Sequence, residues 1–215
     1  MKWKKELLKK SVLYAIIDKE ITKNKSLDKV AKRIADSGVK IIQYRNKEAK
    51  RKILIKEAKS IKKILSKQKI LFIVNDYLDV AKIVDSDGLH LGQNDLSLKL
   101  ARKILGRDKI IGISCHNLRQ AIKAEKEGAD YISIGPIFPT PLKPEYKTIG
   151  TKIIKKIKNK IKIPFFVIGG VNLKNLNEVL SMGAKRVAVC RLICQAKNIP
   201  FTTKKILSLL KNNLK

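Results

Sequence analysis

A single (β/α)8 barrel preceded by a short N-terminal helix is the fold predicted for this chain, and three observations predict it. Short apolar, β-branched runs alternate along the whole sequence with longer segments whose apolar residues recur at the helical period, eight of each in strict order. Strict alternation calls for parallel strands joined by crossover helices. The 215 residues lie near the lower end of the range for eight such units. No change of composition marks a linker, so residues 1–215 are read as one domain. The competing open, doubly wound sheet would carry Gly-x-Gly-x-x-Gly after its first strand, whereas AIIDKEITKNK has no glycine.

The elements follow in order. Residues 1–11 are amphipathic, with Trp3, Leu7 and Leu8 on one side, and are expected to close the bottom of the barrel. Strands are predicted over 12–17, 39–44, 70–74, 88–90, 110–113, 131–134, 165–168 and 186–189. Helices are predicted over 27–37, 49–67, 78–84, 98–105, 118–127, 151–159, 173–182 and 204–211. No apolar run approaches the ~18 residues of a membrane span, and MKWKKELLKK has charges where a secretory signal needs apolar residues, so a cytoplasmic location is expected. Cys115, Cys190 and Cys194 show no zinc spacing and are read as reduced thiols.

Lysine and arginine number 49 against 18 acidic residues, a formal charge of +31. Such a field attracts polyanions, and nucleic acid, anionic membrane and phosphorylated small molecules all qualify. The lysines of KRKILIKEAKSIKKILSKQK and TKIIKKIKNKIK, however, recur at helical spacing between Ile and Leu, as on the wet faces of amphipathic helices. A nucleic-acid site would concentrate charge in one motif, so neither nucleic acid nor membrane is the expected partner.

Barrel enzymes build their sites from the loops after the strands, so the residues just past each strand's last apolar position carry the information. They are Gln43, Arg45 and Lys47 after the second strand, Asn75 and Asp76 after the third, and His90, Gln93 and Asp95 after the fourth. Ser114 and His116 follow the fifth, Gly135, Thr140 and Lys143 the sixth, Gly169-Gly170 the seventh and Cys190-Arg191 the eighth. Alternation along QYRNK aims an amide and two cations into one space. Asp76 and Asp95 end adjacent strands, and two carboxylates with open coordination positions suit Mg²⁺ bound jointly with substrate phosphates; loop-capping is their plainer reading. Asp79 is read as a structural cap. VIGGV before NLKNL lets backbone N–H groups approach an anion, although a tight turn alone would also use Gly-Gly. The proline-stiffened IGPIFPTPLKPEYKTIG carries Lys143 and Lys147 and fits a phosphate-facing loop. His90, within a strand, reads as a core residue, and His116 as a donor to substrate. Two anion-binding zones, one with metal, fit a reaction between two phosphorylated small molecules.

In this order and at this spacing, QYRNK, NDYLD, DGLHLGQND, GISCH, YISIGPIFPT, FFVIGGV and GAKRVAVC resemble thiamine-phosphate synthases over nearly the whole chain. The resemblance implies a (β/α)8 barrel that condenses 4-amino-2-methyl-5-(diphosphooxymethyl)pyrimidine with a thiazole phosphate carboxylate, giving thiamine phosphate, CO2 and pyrophosphate. The implied mechanism is dissociative: pyrophosphate leaves the pyrimidine methylene, and the thiazole nitrogen captures the cation. By the same resemblance Gln43, Arg45, Lys47 and Asn75 hold the pyrophosphate, and Asp76 and Asp95 hold Mg²⁺. Ser114 meets the aminopyrimidine, Lys143 the leaving group, and Gly170 with Cys190 and Arg191 the thiazole phosphate, with His116, Thr140 and Gly169 completing the substrate sites. Two positions depart from the family: Leu142 stands where a second hydroxyl residue is usual, and Arg191 where a small residue such as serine is usual. The related thiazole tautomerases generally lack the metal carboxylates, which Asp76 and Asp95 would supply here, but the missing hydroxyl keeps that alternative open, as the charge does for a basic nucleic-acid-binding barrel. A homo-oligomer is compatible with all of these readings.

Overall fold

Eight parallel strands close on one another in sequence order, β1 through β8 and back to β1. The computed structural model describes residues 2–23, 25–140 and 147–213. The strands are β1 Leu13–Asp18, β2 Ile41–Arg45, β3 Leu71–Asn75, β4 Gly88–Leu91, β5 Ile110–Cys115, β6 Tyr131–Ile134, β7 Phe165–Val167 and β8 Val187–Val189. Among the described residues the helices are α1 Lys2–Lys10, α2 Lys19–Thr22, α3 Leu27–Asp36, α4 Arg51–Leu65, α5 Leu78–Ile83, α6 Leu98–Leu105, α7 Leu118–Lys126, α8 Lys152–Lys160, α9 Leu176–Ser181, α10 Arg191–Cys194 and α11 Ile199–Asn212. The predicted barrel is therefore the observed one. Each predicted strand is present, with ends displaced by a residue or two.

Capping explains where the helices begin. Ser26, Ser97 and Asn117 accept the backbone N–H of Lys29, Leu100 and Gln120 at the starts of α3, α6 and α7. The last helix begins at Ile199, well before the predicted 204, because Asn198 accepts Phe201 N and Pro200 sits in the first turn. Conversely α9 is shorter than 173–182, since the Asn172 and Asn175 side chains fold the preceding residues into turns. The four-residue helices α2 and α10 were too short to show any apolar period.

Two apolar layers form. One lies between strands and outer helices, where α4 buries Leu54, Ala58, Ile61 and Leu65 and leaves most of its basic residues to solvent. The other fills the barrel interior, with Leu8 of α1 packed beneath Tyr14, Tyr131 and Phe166. Helix α1 is held across the lower end by Lys4–Asp87 (2.7 Å), Lys5–Asp130 (3.1 Å) and Arg186 Nη2 donating to Lys9 O (2.7 Å). All three contacts fall just before strands begin, so α1 closes the bottom as expected. No described helix is long and apolar enough to cross a membrane.

Candidate active site

A cavity of about 560 Å³ opens at the C-terminal ends of the strands. Gln43, Arg45, Lys47, Asn75, Asp76, Asp95, Ser114, His116, Thr140, Gly169, Gly170, Cys190 and Arg191 all line it. Lys143 and Leu142 lie outside the described residues.

Strand β2 directs Gln43 and Arg45 inward by its two-residue period, and Gln43 ends deepest, buried against Tyr14. Arg45 binds Asp18, its direct neighbour across β1 and β2. Asp18 is a buried carboxylate whose other oxygen accepts Glu20 N (2.9 Å) and Ile21 N (3.4 Å), capping α2. It thus fixes the guanidinium at the cavity wall, a residue the sequence reading did not single out. Lys47, nearer the rim, lies 3.3 Å from Asp76.

The carboxylate pair is built tightly. Asp76 follows β3 with a left-handed backbone (φ 59°), which a non-glycine residue adopts at a cost, and its N–H donates to His90 O (2.8 Å). Burial and the adjoining Asp95 carboxylate raise its pKa above the usual aspartate range, while Lys47 opposes that rise. Asp95 is oriented by Gly92 N–H (2.6 Å). Two hard oxygen donors crowded so that one resists ionising form a donor set suited to Mg²⁺ shared with phosphate oxygens. Among the described residues no three acidic, His or Cys side chains gather as a self-sufficient metal cage, so water or substrate would complete the coordination shell. Asp79 sits in the first turn of α5, one residue into the helix as expected, but α5 has no side-chain cap bond and Asp79 pairs with Arg51 (2.8 Å).

The far wall is made by the loops after β6 and β7. Gly169 and Gly170 take positive φ (93° and 65°), and a Cβ on Gly169 would lie 2.4 Å from Pro136 Cα. Glycine is therefore demanded by the loop after β6, which packs onto them, as well as by any approaching anion. Arg191 does not end β8, as expected, but opens α10; the strand stops at Val189 because Cys190 leaves the extended conformation. Its side chain is exposed and donates to Gln195 Oε1 at 3.3 Å. His116 Nδ1 donates to Gly135 O (2.6 Å). His90 is buried as expected of a core residue, but it also lines the cavity and contacts Ser114.

The profile of the family described as thiamine monophosphate synthase matches residues 13–193. The chain belongs to that family. It is 41% identical over 197 residues to the thiamine-phosphate synthase of Shouchella clausii, covering 91% of this chain and 94% of that protein. It is 44% identical over 191 residues to that of Halalkalibacterium halodurans, covering 88% and 90%. The thiamine phosphate pyrophosphorylase of Pyrococcus furiosus superposes with a TM-score of 0.88 at 32% identity, over 97% of this chain and all of that one (100%). The thiamine-phosphate synthase family thus supplies both the fold and the class of chemistry in which the cavity is to be understood.

Proposed function

We propose that the chain joins the pyrimidine diphosphate to the thiazole phosphate to make thiamine phosphate, through loss of pyrophosphate before the new C–N bond forms. The observation that carries the reading is the convergence of Arg45 and Lys47 with the Asp76–Asp95 pair on one cavity mouth. Arg45 and Lys47 would bind the diphosphate and balance the charge that builds on it as it departs. Mg²⁺, held by Asp76 and Asp95, would supply a hard cation for the same oxygens. Below the rim, walls that include Ile16, Ile168 and Val189 keep water from the cationic pyrimidine methylene.

No side-chain nucleophile is required, and the two thiols that line the cavity, Cys115 and Cys190, are unsuited to serve as one: burial pushes the Cys115 thiol up to about 12. The contact with Cys194 and then burial push the Cys190 thiol well above its ordinary range, so it stays protonated. The loops after β7 and β8, with Gly170 and Arg191, would take the thiazole phosphate.

Purified protein incubated with both phosphorylated precursors and Mg²⁺ should yield thiamine phosphate and pyrophosphate, and EDTA should stop it. No product, or a rate indifferent to EDTA, would reject the reading; isomerisation of the thiazole carboxylate alone would assign the chain to tautomerase chemistry.

A further inference from the structure

A chain of hydrogen bonds crosses the floor of the cavity and surfaces at both ends. Gln43 Nε2 donates to Tyr14 Oη (2.7 Å), and the Tyr14 and Tyr131 hydroxyls lie 2.9 Å apart. Tyr131 Oη is 3.0 Å from His90 Nδ1, and His90 Nε2 is 3.0 Å from Ser114 Oγ. The path exists because residue 112 is glycine: a Cβ there would lie 2.0 Å from Tyr131 Cζ, in the space the phenol ring occupies. Burial holds both phenols well above their ordinary range, so each is neutral and carries one proton.

Counting protons gives the chain a direction. The Gln43 amide nitrogen can only donate, so Tyr14 Oη accepts there, and the partner for its own proton is Tyr131. Tyr131 then passes its proton toward His90 Nδ1, which must be bare. The neutral imidazole carries its proton on Nε2 and gives it to Ser114 Oγ. The opposite direction would leave the Tyr14 proton without an acceptor in a buried site, at a real cost. Ser133 Oγ lies 3.3 Å from Ser114 Oγ as a second donor. Ser114's own proton is therefore turned to the cavity. At the other end Gln43 lines the cavity, and no described residue donates to its Oε1.

We infer that Tyr14, Tyr131 and His90 are positioning residues that fix the floor of the cavity as an acceptor at Gln43 and a donor at Ser114. That pair complements an aromatic edge with an amino group beside an unprotonated ring nitrogen, as in a 4-aminopyrimidine. A 4-oxo ring presents the reverse pattern, and accepting it would require turning the Gln43 amide, both phenol protons and the His90 tautomer together. The inference rests on the proposed function in seating the pyrimidine at the floor, and it places Gln43 on the ring, two residues deeper than Arg45.

The tautomer can be read without any ligand. In full-length protein with ¹⁵N-labelled histidine, and with His116→Gln leaving one histidine signal, His90 should show a protonated Nε2 and a bare Nδ1; a protonated Nδ1 overturns the relay. In turnover with the thiazole phosphate, the ratio of kcat/KM for the 4-amino pyrimidine diphosphate over its 4-oxo analogue should fall roughly tenfold in Tyr131→Phe and in Tyr14→Phe. Tyr131→Phe should also turn the single His90 tautomer into a mixture. A purely structural role would slow both substrates alike, and an unchanged ratio with an unchanged tautomer refutes the inference. Failure to use the aminopyrimidine at all would reject the proposed function, while the ligand-free tautomer would still decide the relay.

Discussion

Replacing Arg45 with alanine should destabilise the barrel as well as stop catalysis, because the guanidinium is the partner of a carboxylate that cannot reach water. The side chain of Asp18 is 1% exposed and that of Arg45 15%. In Arg45→Ala the Asp18 charge loses its partner and keeps only the N–H groups of Glu20 and Ile21. Removing one member of a buried pair costs ~3–5 kcal/mol, and the surviving amide bonds place this case near about 3 kcal/mol. In a chain of this size that corresponds to roughly 6–12 °C in Tm. Adding Asp18→Asn removes the stranded charge and retains a good helix cap, so the double variant should recover about 2 kcal/mol while remaining as inactive as Arg45→Ala. Urea melts and kcat/KM for the pyrimidine diphosphate, measured on both single variants and the double, test this. A double variant less stable than Arg45→Ala would show that the two residues act independently, and the reasoning would fail.

Three further outcomes follow from the site. The raised pKa of Asp76 means that the fold opposes its charged form; the penalty is present at neutral pH and is relieved as pH falls through the folded pKa. Asp76→Asn, which also tolerates the left-handed backbone, should therefore raise the Tm of metal-free protein while abolishing turnover, and a lowered Tm counts against this account. Arg191→Ala should raise KM for the thiazole phosphate by ~1–3 kcal/mol and leave KM for the pyrimidine diphosphate unchanged, as separate substrate titrations would reveal. Gly169→Ala must force a Cβ against Pro136 at positive φ, so it should lower both Tm and kcat; a fully stable, active variant would mean that the β6 loop yields easily.

The barrel and most of its rim were legible because both depend on local rules. Strand period and strand ends mark Gln43, Arg45, Lys47, Asn75 and Asp76 without knowledge of their partners. Asp18 closes β1 much as Asp76 closes β3, but its meaning lies in the cross-strand register that sets it beside Arg45, and sequence does not display that register. His90 looked like core because it is core; its contacts with Tyr131 and Ser114 come from residues 41 and 24 positions away. Arg191 was expected at the end of the eighth strand, just past its last apolar position, but nothing in GAKRVAVC announces that the backbone turns at Cys190 into α10, a helix too short to leave a period. Lys62 fits the wet face of α4 by spacing, yet its Nζ binds Val84 O (2.9 Å) and Asp85 (3.0 Å) at the end of α5. A lone surface position did not predict a bridging role.

The closed lower end has a kinetic meaning. With α1 and the Tyr14–Tyr131–Phe166 layer beneath it, the cavity is a dead end with its described opening at the strand tips. A ring seated on the floor has to enter before anything settles above it, and whatever occupies the rim has to go before the ring can leave. On the proposed seating of the substrates the architecture would impose a queue: pyrimidine in first, thiazole second, and pyrophosphate, nearest the door beside Lys47, out ahead of the finished vitamin precursor.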